Sequence, residues 1–384
     1  MQHLNVYDVA IIGGGLAGLS LSIQLAQSGW RVILFEKETY PFHKVCGEYI
    51  SMESWPFLQS LGIGLNAMNL PRINKLRVTA PDGSMFESKL PLGGFGISRY
   101  RLDKLLADVA MSAGVSLFQG CRVNDVKKEG ETFLLNFTDQ KDDACFIQAR
   151  LCFGAYGKRS NLDIRWRRGF LNKQHKKLDN YVGIKYHVTG DGDQGLISLH
   201  NFEGGYCGIS EIEDGKYCLC YMTKASNLKN SGNSIVRMEE EILYNNPHLR
   251  KTFLSYKRME SFPVTISQIS FQQKTLTENG IIMLGDAAGM ITPLCGNGMS
   301  MALYTSKILY QLSNQFLNGE IDHQLLIKKY ERQWRDSFSS RMKTGRLLQR
   351  LFGKAITSNV MVRLFKTLPF LINPIIKKTH GKPF

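Results

Sequence analysis

The sequence predicts an α/β protein with two interleaved domains, one three-layered around a parallel sheet and one built on a mainly antiparallel sheet, followed by C-terminal helices. Three observations lead to this prediction. A strand, a glycine-rich turn, a helix and a second strand succeed one another at the N-terminus, short alternating segments fill the middle, and residues 321–384 are strongly basic. The 384 residues also exceed what a single core usually holds.

The N-terminal unit has the order strand, turn, helix, strand. Val6 to Ile12 is a short apolar run typical of a buried parallel strand, and it leads into Gly13-Gly14-Gly15-Leu16-Ala17-Gly18. A helical pattern then ends at Ser28-Gly29, and Arg31 to Phe35 is a second apolar strand with Glu36 at its tip. This is a βαβ unit with G-x-G-x-x-G in its turn.

These residue types suit a dinucleotide. Gly13 allows a tight turn, Gly15 lets the backbone approach a pyrophosphate, and Gly18 lets the helix pack on the strand. The helix N-terminus offers free N–H groups to the anion, and Glu36 would accept hydrogen bonds from ribose hydroxyls. An ordinary glycine-rich turn is the alternative, but the complete order of strand, turn, helix and terminal acid favours a dinucleotide site.

The middle of the chain predicts a second domain. Arg99 precedes a helix predicted over Tyr100 to Ala113, and Ile235 to Tyr244 predicts another helix. Apolar or alternating segments predict strands at Val115–Phe118, Arg122–Val126, Phe133–Phe137, Cys145–Phe153, Tyr181–Val188, Tyr206–Ile209 and Tyr217–Tyr221. The last three are separated by Gly-Asp, Glu-Gly-Gly and Glu-Asp-Gly turns, which indicates an antiparallel sheet.

A second candidate cofactor motif follows a buried strand at Ile281 to Leu284. Gly285-Asp286 ends that strand, and Gly296-Asn297-Gly298 opens a helix predicted over Met299 to Leu317. An Asp at a strand end is suited to hold a polyol chain, while the helix dipole faces an anion. A surface turn with a helix cap is the alternative.

These motifs together resemble the flavoprotein superfamily that includes p-hydroxybenzoate hydroxylase, flavin-dependent halogenases and geranylgeranyl reductases, from about Val6 to Leu317. The resemblance implies a Rossmann-like FAD-binding domain and a substrate domain. It implies that Gly13–Gly18 with Glu36 bind the ADP half of FAD, that Asp286 binds the ribityl chain, and that Arg99 contacts the pyrophosphate or ribityl region. The implied cofactor-binding residues are Gly13, Gly15, Ala17, Gly18, Glu36, Lys37, Cys46, Gly47, Arg99, Val123 (by its backbone, at the adenine), Gly285, Asp286, Gly298 and Met299.

The most discriminating string is Pro41-Phe42-His43-Lys44-Val45-Cys46-Gly47-Glu48, which resembles the Lys-x-Cys-Gly segment of geranylgeranyl reductase-like enzymes beside the flavin. Cys46 lies just past a strand end, where open α/β sheets bind ligands. With His43 and Lys44 nearby, it is our one candidate catalytic side chain, as a low-pKa thiol or proton donor. A small side chain packing on the cofactor is the alternative.

Three departures limit what the resemblance implies. The superfamily's Asp-Gly motif, associated with FAD and NAD(P)H, is Tyr156-Gly157 here, so direct use of a nicotinamide does not follow. The halogenase Trp-x-Trp-x-Ile-Pro signature is absent, which excludes halogenation. The reductases' aromatic substrate motif corresponds only to Tyr206-Cys207-Gly208-Ile209-Ser210, so a geranylgeranyl substrate does not follow either.

Composition and charge exclude several classes. With 43% hydrophobic and 10% aromatic residues the chain is not disordered, and the apolar stretch Leu351 to Ile376 is interrupted by charges, so no membrane span is expected. The net charge is +15, but residues 321–384 hold 14 Lys and Arg against three acids, and no nucleic-acid-binding motif accompanies them. The eight cysteines are scattered without C-x-x-C spacing, so we expect no metal site and a reducing, cytoplasmic location.

The segment Arg341 to Phe384 contains ten basic residues and no acid, with apolar residues at spacings of three and four. This pattern predicts amphipathic helices up to Pro369 and Pro374. They form either a layer docked on the body or a basic surface lying on anionic lipid, which would make the protein peripherally membrane-associated.

We therefore expect residues 1–70, 97–160 and 270–317 to form the FAD-binding domain, residues 71–96 and 161–269 the substrate domain, and residues 318–384 a basic helical region. The leading hypothesis is an FAD-dependent reductase transferring hydride from reduced flavin to a small hydrophobic substrate of isoprenoid, lipid or polyketide type, with NADPH or an electron-donor protein as reductant. A monooxygenase hydroxylating an aromatic or polyketide substrate with O2 is the alternative. A non-catalytic flavin- or lipid-binding protein is the third.

Overall fold

A computed structural model describes residues 6–172, 180–292, 294 and 296–384. The strands, in chain order, are β1 (Val6–Ile12), β2 (Val32–Glu36), β3 (Tyr49–Ser51), β4 (Arg72–Thr79), β5 (Met85–Gly96), β6 (Ser116–Gln119), β7 (Arg122–Glu129), β8 (Thr132–Thr138), β9 (Ala144–Gly154), β10 (Tyr181–Thr189), β11 (Leu196–Phe202), β12 (Gly205–Glu211), β13 (Tyr217–Lys224), β14 (Lys257–Arg258), β15 (Val264–Ile269), β16 (Thr277–Glu278) and β17 (Ile281–Met283). The helices are α1 (Leu16–Gln27), α2 (Trp55–Ser60), α3 (Arg99–Ser112), α4 (Asn161–Arg165), α5 (Gly169–Asn172), α6 (Ala225–Asn230), α7 (Ile235–Glu241), α8 (Pro247–Ser255), α9 (Gly298–Leu317), α10 (His323–Phe352), α11 (Ala355–Thr367) and α12 (Ile372–Thr379).

The first sheet has a parallel centre. Its path runs β16-β17-β9-β1-β2-β6, and the β7–β8 hairpin joins it through β8 beside β9. Strands β6, β2, β1, β9 and β17 are parallel, with Val9 of β1 level with Val32 and Leu151. Helix α1 packs against α3 and α9 over this sheet, which explains why β1 and β2 are nearly continuous apolar runs.

The second sheet is antiparallel except at one pair. Its path runs β14-β10-β13-β12-β11-β4-β5-β3, with β15 also on β10, and only β4 and β11 pair in parallel. The predicted fold class, an α/β protein with a parallel and a mainly antiparallel sheet, is confirmed. The boundary expected at residue 70 places β3 in the first domain, whereas β3 pairs with β5 of the second sheet.

Two predicted helices end differently in the structure. The α-helix predicted over Ile235 to Tyr244 ends at Glu241, and Leu243–Asn245 form a 3-10 turn before Asn246 caps α8. The tail was expected to stay helical only up to Pro374, but α12 runs through it. Pro374 lies in the first turn of α12, where a backbone N–H has no intrahelical partner to lose.

The C-terminal helices cover the second sheet. Phe352, Val362 and Phe365 pack with Val78 and Phe86 of β4 and β5 in one buried cluster. The tail thus packs on the body, as one of the two alternatives left open by the sequence requires. Within the described residues no single helix is long and apolar enough to cross a membrane, and α11 with Pro369–Thr379 meets those criteria only as a pair bent by 108°.

Candidate flavin site and substrate chamber

The glycine loop between β1 and α1 leaves an open concave side. Gly13 has a φ of +109°, and a Cβ there would lie 2.5 Å from the Ala155 carbonyl oxygen. A Cβ on Gly18 would collide with the Gly13 carbonyl, whereas a Cβ on Gly15 would meet only Arg99 Nη2, at 3.9 Å. The space at Gly15 is therefore the one place in the loop where an anion could approach the backbone at the start of α1.

The carboxylate of Glu36 lies at the rim of this loop. It accepts hydrogen bonds from the backbone N–H groups of Gly14 at 3.0 Å and Glu38 at 3.1 Å, and Lys44 Nζ lies 3.9 Å away. The hydroxyl of Tyr40 donates to the Gly14 carbonyl, and burial raises the pKa of this phenol well above its usual value. Tyr40 was missed by the sequence reasoning, since its proximity to the loop depends on the turn after β2.

Arg99 faces the same space from the start of α3. Its Nε and Nη2 atoms each donate to Asp103, at 2.7 Å, in a bidentate pair, and Lys44 Nζ lies 3.0 Å from the same carboxylate. Burial opposes ionisation of Asp103, but the charges of Arg99 and Lys44 outweigh it and lower the pKa. The guanidinium is thus held rigidly beside Gly15, where the resemblance places a cofactor phosphate.

The turn after β17 closes the loop from the other side. Gly285 has a φ of +59°, and a Cβ there would lie 3.2 Å from that of Ala17. Asp286 follows in a 3-10 turn, and a shallow cleft, about 230 Å³ with open solvent included, lies between this turn and the start of α9. Lys274 Nζ donates to the Asp286 carbonyl at 2.9 Å, and burial lowers the pKa of this lysine to about 8.

A buried ion pair ties this turn to α4, a contact that the sequence reasoning missed. Arg168 Nη1 donates to Asp163 Oδ1 at 2.9 Å and to the Ala287 carbonyl at 3.2 Å, and both charged side chains are fully buried. The hydroxyl of Tyr156, which stands where the superfamily has Asp, donates to the same Asp163 oxygen at 2.9 Å. Tyr156 is thus part of the turn's support.

Cys46 and Gly47 face the start of α9. Cys46 Sγ lies 3.5 Å from Met299 Sδ, and no atom lies within 4 Å of a Cβ placed on Gly47. Gly298 is the first residue of α9. The structure therefore brings together the predicted residues Cys46, Gly47, Gly298 and Met299, which are separated by about 250 positions in the sequence.

Two further predicted cofactor-binding residues, Lys37 and Val123, lie outside the glycine loop. Lys37 is exposed and lies 3.6 Å from Glu38, and its role in cofactor binding stays a prediction. Val123 is buried in β7, and its carbonyl accepts a hydrogen bond from Asn161 Nδ2 at 3.0 Å. Its predicted backbone contact with adenine would use the N–H or share that carbonyl.

A buried charged cluster lies directly behind the Cys46 loop. Glu48, at a φ of +56°, accepts hydrogen bonds from Lys185 Nζ at 2.6 Å, His187 Nε2 at 2.7 Å and the Arg99 backbone N–H at 2.8 Å. Burial alone would raise the pKa of Glu48, but His187 and Lys185 outweigh it and lower the pKa. We call Glu48, Lys185 and His187 the Glu48 cluster. A lysine inside the otherwise apolar strand β10 was the available sequence signal.

Among the described residues, two sets of three side chains place metal-ligand atoms close together: His43, His187 and Glu260, and Glu48, His187 and Cys218. In the second set the Lys185 ammonium already contacts the carboxylate. The seven described cysteines are free thiols, and Cys295 lies outside the described residues. The expected absence of a metal stays a prediction.

An apolar chamber lies between the second sheet and the C-terminal helices. It contains about 810 Å³ of space, open solvent included, and is lined by side chains such as Leu76, Phe86, Leu199, Phe352, Phe365 and Ile376. One end reaches Tyr49 and Gly296, just before the start of α9. Tyr49 and Gly296 are three positions along the chain from Cys46 and Met299 respectively, which contact each other, and most of the other lining residues belong to the second sheet and the tail. The chamber's walls suit a hydrophobic ligand.

The residues present fit FAD. The glycine loop leaves its only open approach at Gly15, the Arg99 cation faces that approach, and the space around Gly47, next to Cys46, is open. Thr292 Oγ1, just before α9, is buried without a hydrogen-bond partner among the described residues. The space at Gly15 and Arg99 can accept the pyrophosphate, and Thr292 Oγ1 is free to hydrogen-bond a polar group of the same ligand. Both features suit an elongated dinucleotide.

Residues 6–342 match the FAD binding domain family. The chain belongs to this family. It is an FAD-dependent oxidoreductase, and its predicted membership of the p-hydroxybenzoate hydroxylase superfamily is confirmed.

The relatives of this flavoprotein include a reductase, a monooxygenase and a protein named as a receptor. It is 26% identical over 339 residues to digeranylgeranylglycerophospholipid reductase 2 of Methanothermobacter thermautotrophicus, covering 86% of this chain and 83% of the relative. It is 24% identical over 358 residues to kynurenine 3-monooxygenase of Flavobacterium psychrophilum (84% and 75% covered). It is 24% identical over 357 residues to conditioned medium factor receptor 1 of Dictyostelium discoideum (87% and 68% covered). The family therefore leaves the reaction and the substrate open.

Solved structures share the fold of this flavoprotein. A geranylgeranyl bacteriochlorophyll reductase-like protein from Thermoplasma acidophilum superposes with a TM-score of 0.79 at 19% identity, covering 97% of this chain and 96% of that one. The myxobacterial chondrochloren halogenase superposes with a TM-score of 0.75 at 19% identity, covering 99% and 94%.

Proposed function

We propose that this flavoprotein is a reductase that adds two hydrogen atoms to a hydrophobic substrate of isoprenoid, lipid or polyketide type. The observation that carries the proposal is the apolar chamber, which extends from the start of α9 beneath the C-terminal helices. Its lining is aliphatic and aromatic, so a long apolar chain gains burial there while a charged substrate would lose hydration.

The chamber end lined by Tyr49 and Gly296 is close in sequence to residues that we expect beside the cofactor, which supports a reaction there. Gly296 and Tyr49 line that end, and a Cβ on Gly296 would lie 3.2 Å from the Tyr49 ring. The reactive end of a chain lying in the chamber would therefore come close to Cys46 and Met299. The relatives named as digeranylgeranylglycerophospholipid reductases act on substrates of this kind, which favours the isoprenoid or lipid class.

When bound, FAD supplies the two-electron chemistry. The protein's own residues orient the substrate, exclude water and deliver the proton that accompanies the hydride. We assign that proton to Cys46, which contacts Met299 at 3.5 Å and precedes Glu48 by two residues. We expect the free N–H groups at the N-terminus of α9 to stabilise negative charge on the reduced cofactor. Replacing Cys46 with Ala should slow turnover while leaving FAD bound; full activity of that variant would assign Cys46 to packing.

The reductant is NADPH or an electron-donor protein. Because Tyr156 is committed to Asp163, the nicotinamide-associated acid of the superfamily has no direct counterpart here, which favours a protein donor. Bleaching of the absorption near 450 nm by NADPH alone, followed anaerobically in a stopped-flow spectrometer, would instead support direct use of the nicotinamide.

The alternative reaction is monooxygenation, which the kynurenine 3-monooxygenase relative favours. The two reactions differ in product mass and oxygen dependence. We would incubate the FAD-loaded protein and a chemical reductant with a geranylgeranylated glycerophospholipid and analyse the lipid by mass spectrometry, with and without air. A gain of two hydrogens without air supports the reductase, and a gain of one oxygen only in air supports the monooxygenase.

A substitution in the chamber wall tests whether the substrate binds in the chamber. Leu199→Trp fills the space beside Phe86 and should raise the KM for the lipid probe at least about tenfold without releasing FAD. Leu254→Trp, at an exposed leucine on α8, is the matched control. An unchanged KM in Leu199→Trp would show that the substrate does not enter the chamber.

A further inference from the structure

The outward side of the C-terminal helices carries an apolar stripe. Ile356, Val360 and Leu364 of α11 are 78%, 60% and 38% exposed, and Leu368 and Phe370 just beyond it are 37% and 66% exposed. The first four are spaced four residues apart and so follow one side of the helix. We call these five residues the outer stripe.

The outer stripe is separate from the side of α11 that holds the tail to the body. At about 100° per residue, Val362 and Phe365 point to the opposite side of the helix from Ile356 and Val360. Val362 and Phe365 are buried against the second sheet. Helix α11 is therefore apolar on two sides, of which the fold covers only one, whereas an ordinary surface helix has a single apolar side.

The surroundings of the outer stripe are cationic. Residues 341–384 contain ten Lys and Arg and no Asp or Glu. Lys354 and Lys366, at the two ends of α11, are exposed. Two acids of the body border α11. Asp82 pairs with Arg363 at 2.6 Å, and Glu203 accepts a hydrogen bond from the Ala355 N–H at 2.8 Å. The ten cations of residues 341–384 outnumber these two acids.

We propose that the outer stripe and the exposed cations of residues 341–384 dock this enzyme onto an anionic phospholipid surface. Apolar side chains enter the boundary between headgroups and acyl chains, while Lys354 and Lys366 meet the anionic headgroups. The charge argues against a second copy of the chain as the occupant, because two such faces, each with an excess of cations, would bring mainly like charges together.

Docking in this way would place the chamber next to the bilayer. Helices α10, α11 and α12 contribute Phe352, Phe365 and Ile376 to the chamber wall, and the outer stripe lies on the far side of the same layer. The distance from the bilayer surface to the chamber is thus about one helix diameter, roughly 10 Å. Membrane binding does not depend on the proposed reaction, so either can fail without the other.

The test is co-sedimentation of the full-length, FAD-loaded protein with vesicles at physiological salt. Vesicles of phosphatidylglycerol mixed with phosphatidylcholine are compared with vesicles of phosphatidylcholine alone. We expect binding to the first and little to the second. The variant Ile356→Ser, Val360→Ser, Leu364→Ser should bind at least about tenfold more weakly. The double variant Lys354→Gln, Lys366→Gln should bind about thirtyfold more weakly.

A matched control carries the same chemical change elsewhere. Leu254→Ser and Phe262→Ser remove exposed apolar side chains of the substrate domain and should leave vesicle binding unchanged. Flavin absorbance and circular dichroism verify that each variant is folded. Equal vesicle binding by the wild type and the stripe variant overturns the proposal. So does a dimer, detected by light scattering, that the stripe variant abolishes, since the occupant would then be a second copy.

Discussion

At Glu48, two basic side chains of one strand converge on a single buried carboxylate. Lys185 and His187 both point from β10 to this residue, and each lies within 2.7 Å of it. Burying these charges costs free energy of hydration. The cost is offset only when Glu48, Lys185 and His187 are all present, with both basic side chains hydrogen-bonded to Glu48. The cluster therefore holds the Cys46 loop against the second sheet.

Removing the Glu48 charge should leave Lys185 buried without a counterion. We expect Glu48→Gln to lower the free energy of unfolding by about 3–5 kcal/mol, measured by urea denaturation at pH 7. Adding Lys185→Met should restore part of the loss, because the uncompensated charge is then gone. Glu241→Gln, which removes an exposed carboxylate, is the control and should lower the free energy of unfolding much less. A similar loss in both single variants would contradict a special role for Glu48.

Lys274 predicts a pH dependence of stability. Burial lowers the pKa of this lysine in the folded protein to about 8, so the unfolded chain binds more protons between pH 8 and its usual pKa near 10.4. Stability from this group therefore rises with pH across that window. The free energy of unfolding of the wild type, relative to that of Lys274→Met, should rise by on the order of 2–3 kcal/mol between pH 7.5 and pH 10.5. Urea unfolding at the two pH values measures this difference. Lys229→Met, an exposed control, should show no such gain; a flat difference for Lys274→Met would refute the assignment.

At the scale of elements, the N-terminal βαβ unit follows directly from the sequence. Strand β1 has the predicted ends, and β2 is displaced by one residue. The glycines and the apolar runs act within about thirty residues, and such local signals specify a turn and its flanking elements. The predicted motifs at Gly13–Gly18, Arg99 and Gly285-Asp286 also come together around one space, as a dinucleotide site requires.

The elements that the sequence reasoning missed depend on distant partners. Lys185 meets Glu48 across 137 positions, and Arg168 meets the Ala287 carbonyl across 119. A lone sequence shows that such residues are polar within apolar segments but does not show which partner satisfies them. For the same reason, the chamber was not predicted, since it exists only where the tail packs on β4, β5 and β11.

A substitution in the glycine loop should weaken FAD binding without changing the stability of the fold. A Cβ on Gly15 meets only Arg99 Nη2, at 3.9 Å, so Gly15→Ala should change the free energy of unfolding by less than about 0.5 kcal/mol. The added methyl group enters the space left for the pyrophosphate, and FAD affinity should fall at least about tenfold. Flavin fluorescence titration of the cofactor-free protein measures this. Gly64→Ala, with nothing within 4 Å of its Cβ, is the control. Unchanged affinity in Gly15→Ala would place the pyrophosphate elsewhere.

At the scale of the whole molecule, the two sheets contribute to different parts of the candidate site. The first sheet presents the dinucleotide-binding loops at the ends of β1, β2 and β17, and the second forms one wall of the chamber. The Cys46 loop and the start of α9 lie where the two meet. The tail completes the chamber, so its packing should contribute to the stability of the body as a whole.

Two phenylalanines of the tail test this coupling. Phe365 is buried, with its ring edge-on to Phe86 at 5.5 Å between centroids, whereas Phe370 is 66% exposed. Phe365→Ala should therefore lower the free energy of unfolding by about 3–5 kcal/mol, and Phe370→Ala by less than about 0.5 kcal/mol. Thermal unfolding followed by circular dichroism and by flavin release should shift together in Phe365→Ala, because the tail and the body share one core cluster. A separate, earlier transition of helical signal with unchanged flavin release would show that the tail folds independently of the chamber it covers.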